Sequence, residues 1–370
     1  NGIDDDSNGF IDDIHGWDFA NGDNNPMDDN DHGTHCSGTI GGVANNGIGV
    51  AGVNWNVKIM GCKFLTSGGS GSTANAISCI EYATLMGVDV MSNSWGGGGY
   101  DAALEAAIQA AYAADIFFVA AAGNSGQDND VTANYPSNYN VNNVIAVMAT
   151  NNRDQRVVEP GWWSSSYGAT TVDVAAPGLY IWSTTPGNTY QNFSGTSMAT
   201  PHVAGAMAML RGRFPSISVD DGKALLMNLG NDAVPALAGL CITGGRLNLL
   251  KLIADPDVTL PSTVIDLAVG TAASNWLQLN WTAPGDDGIV GTTSSYDIRY
   301  AAAPITDLAG WNAATQVTGE PDPAVSGTAE TMQVNGLVAS TTYYFSIRAK
   351  DEYGNLGDFS NSPAGTTLAP

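Results

Sequence analysis

The apolar positions between residues 57 and 253 form short runs that alternate with segments of helical spacing. Runs rich in Val, Ile and Met predict β-strands at 57–65, 89–94, 116–122 and 144–149. Helical spacing predicts helices at 73–86, 101–114, 196–213 and 219–229, and residues 244–253 predict a strand that turns into a closing helix. Strands that alternate with helices favour a mostly parallel sheet covered on both faces, which is a three-layer αβα arrangement of the α/β class.

The pattern changes after Pro256. The segment 257–262 predicts a linker. Beyond it, apolar and polar residues alternate with period two at 264–269, 276–282, 295–301, 331–337 and 342–350, with turn clusters between them and no helical pattern. Short alternating runs between turns are typical of an all-β sandwich, so we predict two domains, at 1–256 and 262–370.

The charge balance restricts the partners of this chain. It carries 36 Asp and Glu against 12 Lys and Arg, a formal net charge of −24 in 370 residues. Nucleic acid and anionic membrane surfaces repel a protein of this charge, so we expect neither as a partner, whereas cations are attracted. No uninterrupted apolar stretch of about 18 residues predicts a membrane-spanning helix. Few Lys and many Asp suit a secreted protein, most simply a monomer.

Three polar segments carry residues suited to nucleophilic catalysis. They are Asp-His-Gly-Thr-His-Cys-Ser-Gly-Thr at 31–39, Ala-Ala-Ala-Gly-Asn-Ser-Gly at 120–126, and Ser-Gly-Thr-Ser-Met-Ala-Thr-Pro-His-Val-Ala-Gly at 194–205. A serine hydroxyl needs a base within hydrogen-bond reach and donors for the oxyanion that forms on attack. Ser197 at a helix N-terminus, His32 and the Asn124 amide can supply these three functions.

These three segments, in this order, resemble the subtilisin-type serine proteases, or subtilases, over residues 1–253. The resemblance implies a subtilisin-like fold and a secreted serine endopeptidase that cleaves protein or peptide substrates, with Ser197 as nucleophile, His32 as general base and acid, and Asn124 in the oxyanion hole. It implies that the substrate pairs as an added strand between two segments of the enzyme. The implied substrate-binding residues are Ser94, Trp95 and Gly96 on one side, Gly69, Ser70 and Gly71 on the other, and Ala122 and Gly123 at the floor of the S1 pocket. Wide, uncharged walls predict a broad preference for bulky apolar or aromatic P1 residues.

The chain departs from the family pattern at the third member of the triad. The family has an Asp at the end of the first sheet strand, upstream of the His segment, but every acidic residue before His32 lies in polar sequence rich in Gly and Asn. Asp18 is the nearest candidate, and it matches a later strand. We therefore assign no catalytic Asp, expect it before Asn1, and expect low activity. The alternative is a catalytically silent, protease-derived binding protein.

The first 31 residues contain ten Asp, and no Lys or Arg precedes Lys58. Oxygen-bearing residues at alternate positions followed by Gly9 predict a loop that binds Ca²⁺. The predicted ligands of this first loop are Asp4, Asp6, Asn8, the Phe10 carbonyl, and Asp12 or Asp13. A second cluster resembles a calcium site of some thermostable subtilases, and its members are Asp18, Asn21, Asp23, and the carbonyls of Asn25 and Met27. The alternative is a solvated acidic loop.

The C-terminal region resembles a fibronectin type III domain. The resemblance rests on Trp281 and on the alternating run from Leu337 to Ala349, in which Tyr343 matches the corner tyrosine whose hydroxyl bonds the preceding turn. We expect a spacer or a substrate-docking module.

Other interpretations of the polar segments remain open. Ser197 could be an ordinary helix cap, and His32, His35 and Cys36 could bind zinc in a metal-dependent hydrolase, although no fourth ligand has a recognised spacing. Cys36 more simply is a small buried residue. Four cysteines permit two disulfides whose pairing the sequence does not define; they are Cys36, Cys62, Cys79 and Cys241.

Overall fold

The computed structural model describes residues 1–254, 259–351 and 354–370, and the chain divides into two compact units after Ala254. Residues 255–258, which include the predicted domain end at 256 and the start of the predicted linker, lie outside the described residues. In the described part of the chain, no helix is both long and apolar enough to cross a membrane.

The first unit combines strands and helices in alternation. Its strands are β1 (Gly16–Asp18), β2 (Gly61–Lys63), β3 (Val90–Asn93), β4 (Phe117–Ala121), β5 (Val144–Thr150), β6 (Val158–Glu159), β7 (Trp163–Ser164), β8 (Val174–Pro177), β9 (Ile181–Thr185), β10 (Thr189–Phe193), β11 (Asn231–Ala233) and β12 (Gly245–Leu247). Its α-helices are α1 (His32–Gly41), α2 (Thr73–Leu85), α3 (Ala102–Ala113), α4 (Thr196–Arg213), α5 (Val219–Asn228) and α6 (Leu249–Ile253), and Pro235–Leu237 forms a 3₁₀ turn.

The main sheet has the strand order β11-β12-β8-β5-β4-β3 and is parallel except for the β11–β12 pair. Strands β4 and β5 are buried along their whole length. Alternate side chains of β4 enter two different cores: Phe117 and Val119 pack with Val203 of α4, whereas Phe118 packs with Ile108 of α3. The predicted αβα fold is therefore confirmed, and burial on both faces explains why these strands are continuous apolar runs.

Several elements of the first unit differ from the prediction. Of the predicted strand 57–65, only Gly61–Lys63 forms a strand, β2, which pairs with the short strand β1. Strand β8 and the β9–β10 hairpin were not predicted. In β9 only Ser183 and Thr185 are buried, and in β10 no residue is buried, so neither strand is the continuous Val- and Ile-rich run that predicts a strand. The long helix α4 has the bounds that its sequence predicts.

The second unit is a sandwich of two antiparallel sheets. Its elements are β13 (Ala268–Ala272), β14 (Trp276–Thr282), β15 (Ser295–Ala301), the helix α7 (Leu308–Ala313), β16 (Thr315–Gln316), β17 (Ala329–Asn335), β18 (Thr342–Lys350) and β19 (Ala364–Thr366). The sheets have the orders β13-β14-β17 and β16-β15-β18-β19. The Tyr343 hydroxyl accepts a hydrogen bond from the Val338 backbone N–H at 3.0 Å, which confirms the predicted tyrosine corner.

Two features of this unit correct the prediction. The first strand was predicted at 264–269, but pairing begins at Ala268 because Val264 and Leu267 enter the core before the chain joins the sheet. The helix α7 was not predicted. It is only six residues long, and its start is fixed by the Asp307 carboxylate, which accepts a hydrogen bond from the Gly310 N–H at 2.7 Å.

Candidate active site

The candidate site is built at the carboxyl ends of neighbouring parallel strands. Asn93, the last residue of β3, lies opposite Ala120 of β4. Because both strands run in the same direction, the residues that follow them, Ser94 and Asn124, emerge at the same edge of the sheet. Functional loops of open α/β sheets collect at this edge.

Helix α4 presents Ser197 in its first turn against the end of β3. The Ser197 hydroxyl donates to the Ser94 carbonyl oxygen at 3.3 Å, and the Ser94 hydroxyl donates to the Ser197 carbonyl oxygen at 2.8 Å. These reciprocal bonds join residues 103 positions apart. Ser197 is only partly buried, so its hydroxyl lies at the N-terminal end of a helix, where unpaired N–H groups and the helix dipole favour negative charge.

The Asn124 side chain is oriented by the residue that precedes Ser197. Its Oδ1 accepts hydrogen bonds from the Thr196 backbone N–H at 2.8 Å and from the Thr196 hydroxyl at 3.0 Å. With the oxygen held in this way, the amide NH₂ is directed to the other side and remains a donor. Asn124 is exposed, so a bound substrate can reach it.

His32 is the first residue of α1, and Cys36 connects it to the backbone of Ser197. The Cys36 Sγ lies 4.0 Å from the His32 Nδ1 and donates to the Ser197 carbonyl oxygen at 3.4 Å. Cys36 therefore contacts both the His32 imidazole and the backbone of Ser197, and the pairing of His32 with the Ser197 hydroxyl stays a prediction. The described residues show no hydrogen bond between Ser197 Oγ and His32; such bonds are often long until substrate binds.

The electrostatics suit His32 as a base and Cys36 as a packing residue. Burial lowers the pKa of His32 from its usual 6.5, and the negative charge of Asp28 opposes this shift only in part. The imidazole is consequently neutral, and able to accept a proton, at pH 7. Burial raises the pKa of the Cys36 thiol to about 12, so it is not a thiolate nucleophile at neutral pH.

Asp28 is the acidic residue that the structure adds to the surroundings of His32. Its carboxylate accepts hydrogen bonds from the Thr34 N–H at 2.7 Å and the Thr34 hydroxyl at 2.6 Å, in the first turn of α1. Among residues 1–254, 259–351 and 354–370, no carboxylate accepts a hydrogen bond from His32. Sequence reasoning missed Asp28, whose only signal was an Asp four residues before a helix-starting His.

The segments predicted to pair with substrate are not strands in this structure. Ser94, Trp95 and Gly96 follow β3 directly, as an extension beyond its last paired residue. Residues 69–71 belong to an exposed turn, in which the Thr66 N–H donates to the Ser70 carbonyl at 2.9 Å. Phe64 lies between the two segments: its ring meets that of Trp95 edge to face at 5.1 Å, and a Cβ on Gly71 would come within 3.0 Å of the same ring.

The predicted pocket floor contains one side chain that sequence reasoning missed. Ala122 is fully buried, while Gly123 is partly exposed and has a φ of +108°, which favours glycine. The Asn134 amide lies against Gly123 and also against Gly96: a Cβ on either glycine would come within 3.3 Å and 3.2 Å of it, respectively. The predicted preference for bulky P1 residues stays a prediction.

The first acidic loop directs several carboxylates toward Asn8. The Asn8 side-chain NH₂ donates to Asp6 at 3.1 Å and to Asp13 at 2.9 Å, and its backbone N–H donates to Asp4 at 3.1 Å. Asp12 does not join them, because it accepts from the Gly2 N–H at 2.7 Å. Asp12 and Asp13 were predicted as alternatives for the last ligand of this calcium loop, and only Asp13 is directed toward Asn8.

The second acidic cluster has a different neighbour from the one expected. Lys63 Nζ lies 2.8 Å from the buried Asp18 carboxylate and 3.4 Å from Asp29. Burial alone would raise the pKa of Asp18, but hydrogen bonds from Lys63, Asn21 and Ala20 lower it. A lysine that is distant in the sequence therefore supplies the cation beside these aspartates, and Asp18 does not fit a calcium ligand in this arrangement.

The zinc interpretation of the His segment is not supported. The described residues contain no group of three or more His, Cys, Asp or Glu placed to hold a metal ion, which applies to the two acidic loops as well as to the His segment. His35 instead binds the carbonyl oxygens of Ile181 and Gln191 through Nε2, at 2.9 and 3.2 Å, and stacks on Phe193. In the described structure all four cysteines are free thiols.

Known proteins resemble both units. A family model described as "Subtilase family" matches residues 1–239, and one described as "Fibronectin type III domain" matches residues 261–365. Subtilisin DY of Bacillus licheniformis is 43% identical over 206 residues, which cover 55% of this chain and 72% of that protein. Thermitase of Thermoactinomyces vulgaris is 41% identical over 205 residues, covering 55% and 70%. A solved structure of a cold-adapted subtilisin-like serine proteinase superposes with a TM-score of 0.56 at 34% identity, covering 65% of this chain and 81% of that one.

Proposed function

This chain belongs to the subtilase family of serine endopeptidases, and we propose that Ser197 is its nucleophile, His32 its general base and acid, and Asn124 a donor to the oxyanion. Its substrates are proteins or peptides. The observation that carries the assignment is the set of bonds that gathers three distant segments at one sheet edge: Thr196 to Asn124, Ser197 to Ser94, and Cys36 between His32 and Ser197.

The mechanism follows from these positions. His32, neutral at pH 7, takes the proton of Ser197 as the hydroxyl attacks the scissile carbonyl, and returns it to the leaving amine. The Asn124 NH₂ and the N-terminal end of α4 stabilise the oxyanion. Water activated by His32 then hydrolyses the acyl-enzyme. The described residues give His32 no carboxylate partner, and in a subtilisin the loss of that Asp lowers turnover roughly 3 × 10⁴-fold, so we expect slow turnover from this chain.

Covalent labelling tests this assignment without requiring turnover. A fluorophosphonate probe, followed by peptide mass spectrometry, is expected to modify Ser197, and S197A is expected to abolish the adduct. Ser194 offers a matched control, because it lies three residues away and its hydroxyl accepts from the Tyr180 N–H at 2.9 Å. S194A is expected to be labelled like the parent. Labelling at Ser194, or labelling that persists in S197A, would overturn the assignment.

A second candidate function is that of a silent, peptide-binding relative of the proteases. The absence, within the described ranges, of a carboxylate bonded to His32 favours it. The two candidates differ in reactivity: a silent binder would hold peptides but would leave Ser197 unlabelled at every pH and at probe concentrations that label a subtilisin. Any adduct on Ser197 that H32A removes excludes the silent alternative.

Calcium is the ion that the acidic loop would hold. The carboxylates of Asp4, Asp6 and Asp13 and the Phe10 carbonyl would supply hard oxygen donors of the kind that Ca²⁺ prefers, and Asp6 and Asp13 converge on the Asn8 NH₂. The Asn8 oxygen accepts from the Phe10 N–H at 2.7 Å, so Asn8 would turn to become a ligand. Bound calcium would neutralise the loop and stabilise its fold. We assign no catalytic step to it.

We further propose that the protein is secreted and monomeric, with neither nucleic acid nor membranes as partners. The net charge of −24 supports solubility and self-repulsion between copies, and disfavours polyanionic partners. For the fibronectin type III unit we propose a role as a spacer or a substrate-docking module.

A further inference from the structure

Two of the four thiols lie against each other in the first unit. Cys62 is the middle residue of β2, and Cys79 belongs to helix α2, which packs against that strand. Their side chains form a hydrogen bond, although the segment 63–78 separates them in the sequence. Ala76 and Ala83 lie one turn to either side of Cys79 on the buried face of α2, and Cys62 packs against the core cluster that contains Ala83. Strand and helix therefore hold the two thiols together in the core.

The other two thiols have different neighbours. Cys36 donates to the carbonyl oxygen of Ser197 at 3.4 Å, and Cys241 donates to a backbone carbonyl of its own loop at 3.8 Å. In the part of the chain that the structure describes, neither of them contacts another thiol. Of the pairings that four cysteines permit, the structure therefore favours the one between Cys62 and Cys79.

The two paired thiols differ in their access to solvent. Cys79 is buried, whereas Cys62 is partly exposed. The hydrogen bond to Cys62, and then burial, raise the pKa of the Cys79 thiol, so Cys79 keeps its proton at neutral pH. By donating that hydrogen, Cys79 stabilises a thiolate on the sulfur of Cys62, and a thiolate is the form that attacks a disulfide. Cys62 is consequently the sulfur that reacts first with an external oxidant.

We propose that Cys62 and Cys79 form a disulfide bond that cross-links β2 to α2 in the secreted protein. The oxidant is another disulfide, either a small molecule or a protein. The Cys62 thiolate attacks one sulfur of this oxidant, forms a mixed disulfide and releases the other sulfur as a thiol. Cys79 then loses its proton and displaces the remaining sulfur of the oxidant, so the two cysteines give up two electrons and two protons and the oxidant becomes two thiols. The inference rests on the proposed secretion, because cytosolic thiols are kept reduced, and it is independent of the role of Ser197.

The cross-link fixes both ends of the segment 63–78. This segment includes residues 69–71, which were predicted to bind substrate and lie in an exposed turn. It begins with Lys63, whose ammonium group pairs with Asp18. Closing a loop of this length stabilises a protein mainly by restricting its unfolded chain. The disulfide therefore stabilises the first unit against unfolding.

Peptide mapping tests the pairing on the folded full chain. The protein is equilibrated with oxidised glutathione, unfolded in an alkylating reagent and digested without reductant. We expect one cross-linked pair of peptides that joins Cys62 to Cys79, with Cys36 and Cys241 alkylated. Alkylation of all four cysteines, a link that includes Cys36 or Cys241, or a Cys62 that stops at the mixed disulfide with glutathione would overturn the proposal.

Thermal melting with and without a phosphine reductant measures the stabilisation. Reduction should lower the melting temperature of the parent chain by roughly 6–12 °C, as expected for a closed loop of this length. The variant C62A/C79A should not respond to the reductant. The matched control is C36A/C241A, which also loses two thiols and should respond like the parent. A response that persists in C62A/C79A, or that disappears in C36A/C241A, contradicts the assignment.

The outcomes distinguish this inference from the proposed function. Fluorophosphonate labelling of Ser197 is expected in the oxidised and in the reduced protein, so a failure of labelling rejects the catalytic assignment and leaves the disulfide in place. Protein recovered from the medium of a secreting host should already contain the link. A link that forms with glutathione but is missing from this secreted protein rejects the disulfide as a feature of the secreted protein.

Discussion

The catalytic edge (His32, Ser94, Asn124 and Ser197) and the acidic segment (residues 1–31) are held by opposite kinds of contacts. At the catalytic edge, bonds between side chains and backbone join residues 72 and 103 positions apart. In the acidic segment most bonds join residues two to five positions apart, such as Asn8 to Asp4 and to Asp13. The geometry of a site made of residues distant in the sequence requires the whole sheet to be folded. The conformation of a local acidic loop depends mainly on how the repulsion between its negative charges is compensated.

Removal of the oxyanion donor is the strongest way to test the catalytic edge. N124A is expected to lower kcat by about 10²–10³-fold with little change in KM, because the Asn124 NH₂ acts on charge that develops only in the transition state. Steady-state kinetics on a peptide substrate measure both constants. T196V is the control: it removes one bond that orients Asn124 and should cost far less. An unchanged kcat for N124A would remove Asn124 from the site.

The Lys63–Asp18 pair is the corresponding test of the acidic segment. K63M leaves the Asp18 carboxylate buried without its cation, and we expect it to lower the free energy of unfolding by about 3 kcal/mol, measured by urea denaturation. K58M, at an exposed position, should change it by less than about 0.5 kcal/mol. If K63M lowered the free energy of unfolding only in the presence of chelator, a bound metal ion rather than Lys63 would be the cation that compensates the charge of Asp18.

The pKa shifts of Asp18 and Lys63 determine how the destabilisation caused by K63M depends on pH. The folded-state pKa of Asp18 is lowered, so its contribution is present above the unfolded value of about 3.9 and is lost as pH falls through the folded pKa. Burial alone would lower the pKa of Lys63, but Asp18 and Asp29 raise it, so its contribution is present below about 10.4 and is lost as pH rises through the folded pKa. The cost of K63M should be largest between these limits.

These two regions also show what the sequence could and could not predict. Helix α4 and strands β4 and β5 were predicted almost to the residue, because a long stretch of small residues and continuous apolar runs leave few alternatives. The proposed roles of Ser197, His32 and Asn124 were recognisable because their neighbours in sequence are specific. In the structure, Thr196 bonds Asn124, and Cys36 lies between His32 and the Ser197 carbonyl.

Other features were not predictable from local sequence. The contact of Lys63 with Asp18 joins positions 45 apart, through the pairing of β1 with β2, and neither strand is longer than three residues. Asn134 lies where a Cβ on Gly96 or on Gly123 would come within 3.3 Å of it, and because these glycines belong to different loops, nothing near Asn134 in the sequence marks it. Helix α7 is too short for a periodic pattern, although Asp307 was a usable capping signal.

Calcium removal separates the two acidic loops. We expect excess chelator to lower the melting temperature by several degrees, because an ion that binds only the folded state stabilises it. D6N should abolish this response, since Asp6 is directed into the first loop, whereas D23N should retain it. Calorimetric melting with and without calcium measures both. A melting curve unaffected by chelator would reject calcium binding, and loss of the response in D23N alone would move it to the second cluster.

The acidic limb of the pH–activity profile tests the electrostatics of the catalytic edge, with the smallest expected effect. Burial lowers the pKa of His32, and the base must be neutral, so kcat/KM should be lost as pH falls through a midpoint below 6.5. D28N removes the charge that opposes this shift, so its midpoint should move further toward acid. T34V is the matched control, because it breaks the Thr34 hydroxyl bond to Asp28 but keeps the charge. A midpoint that T34V moves as far as D28N would show that Asp28 acts on His32 through the start of helix α1 rather than through its charge.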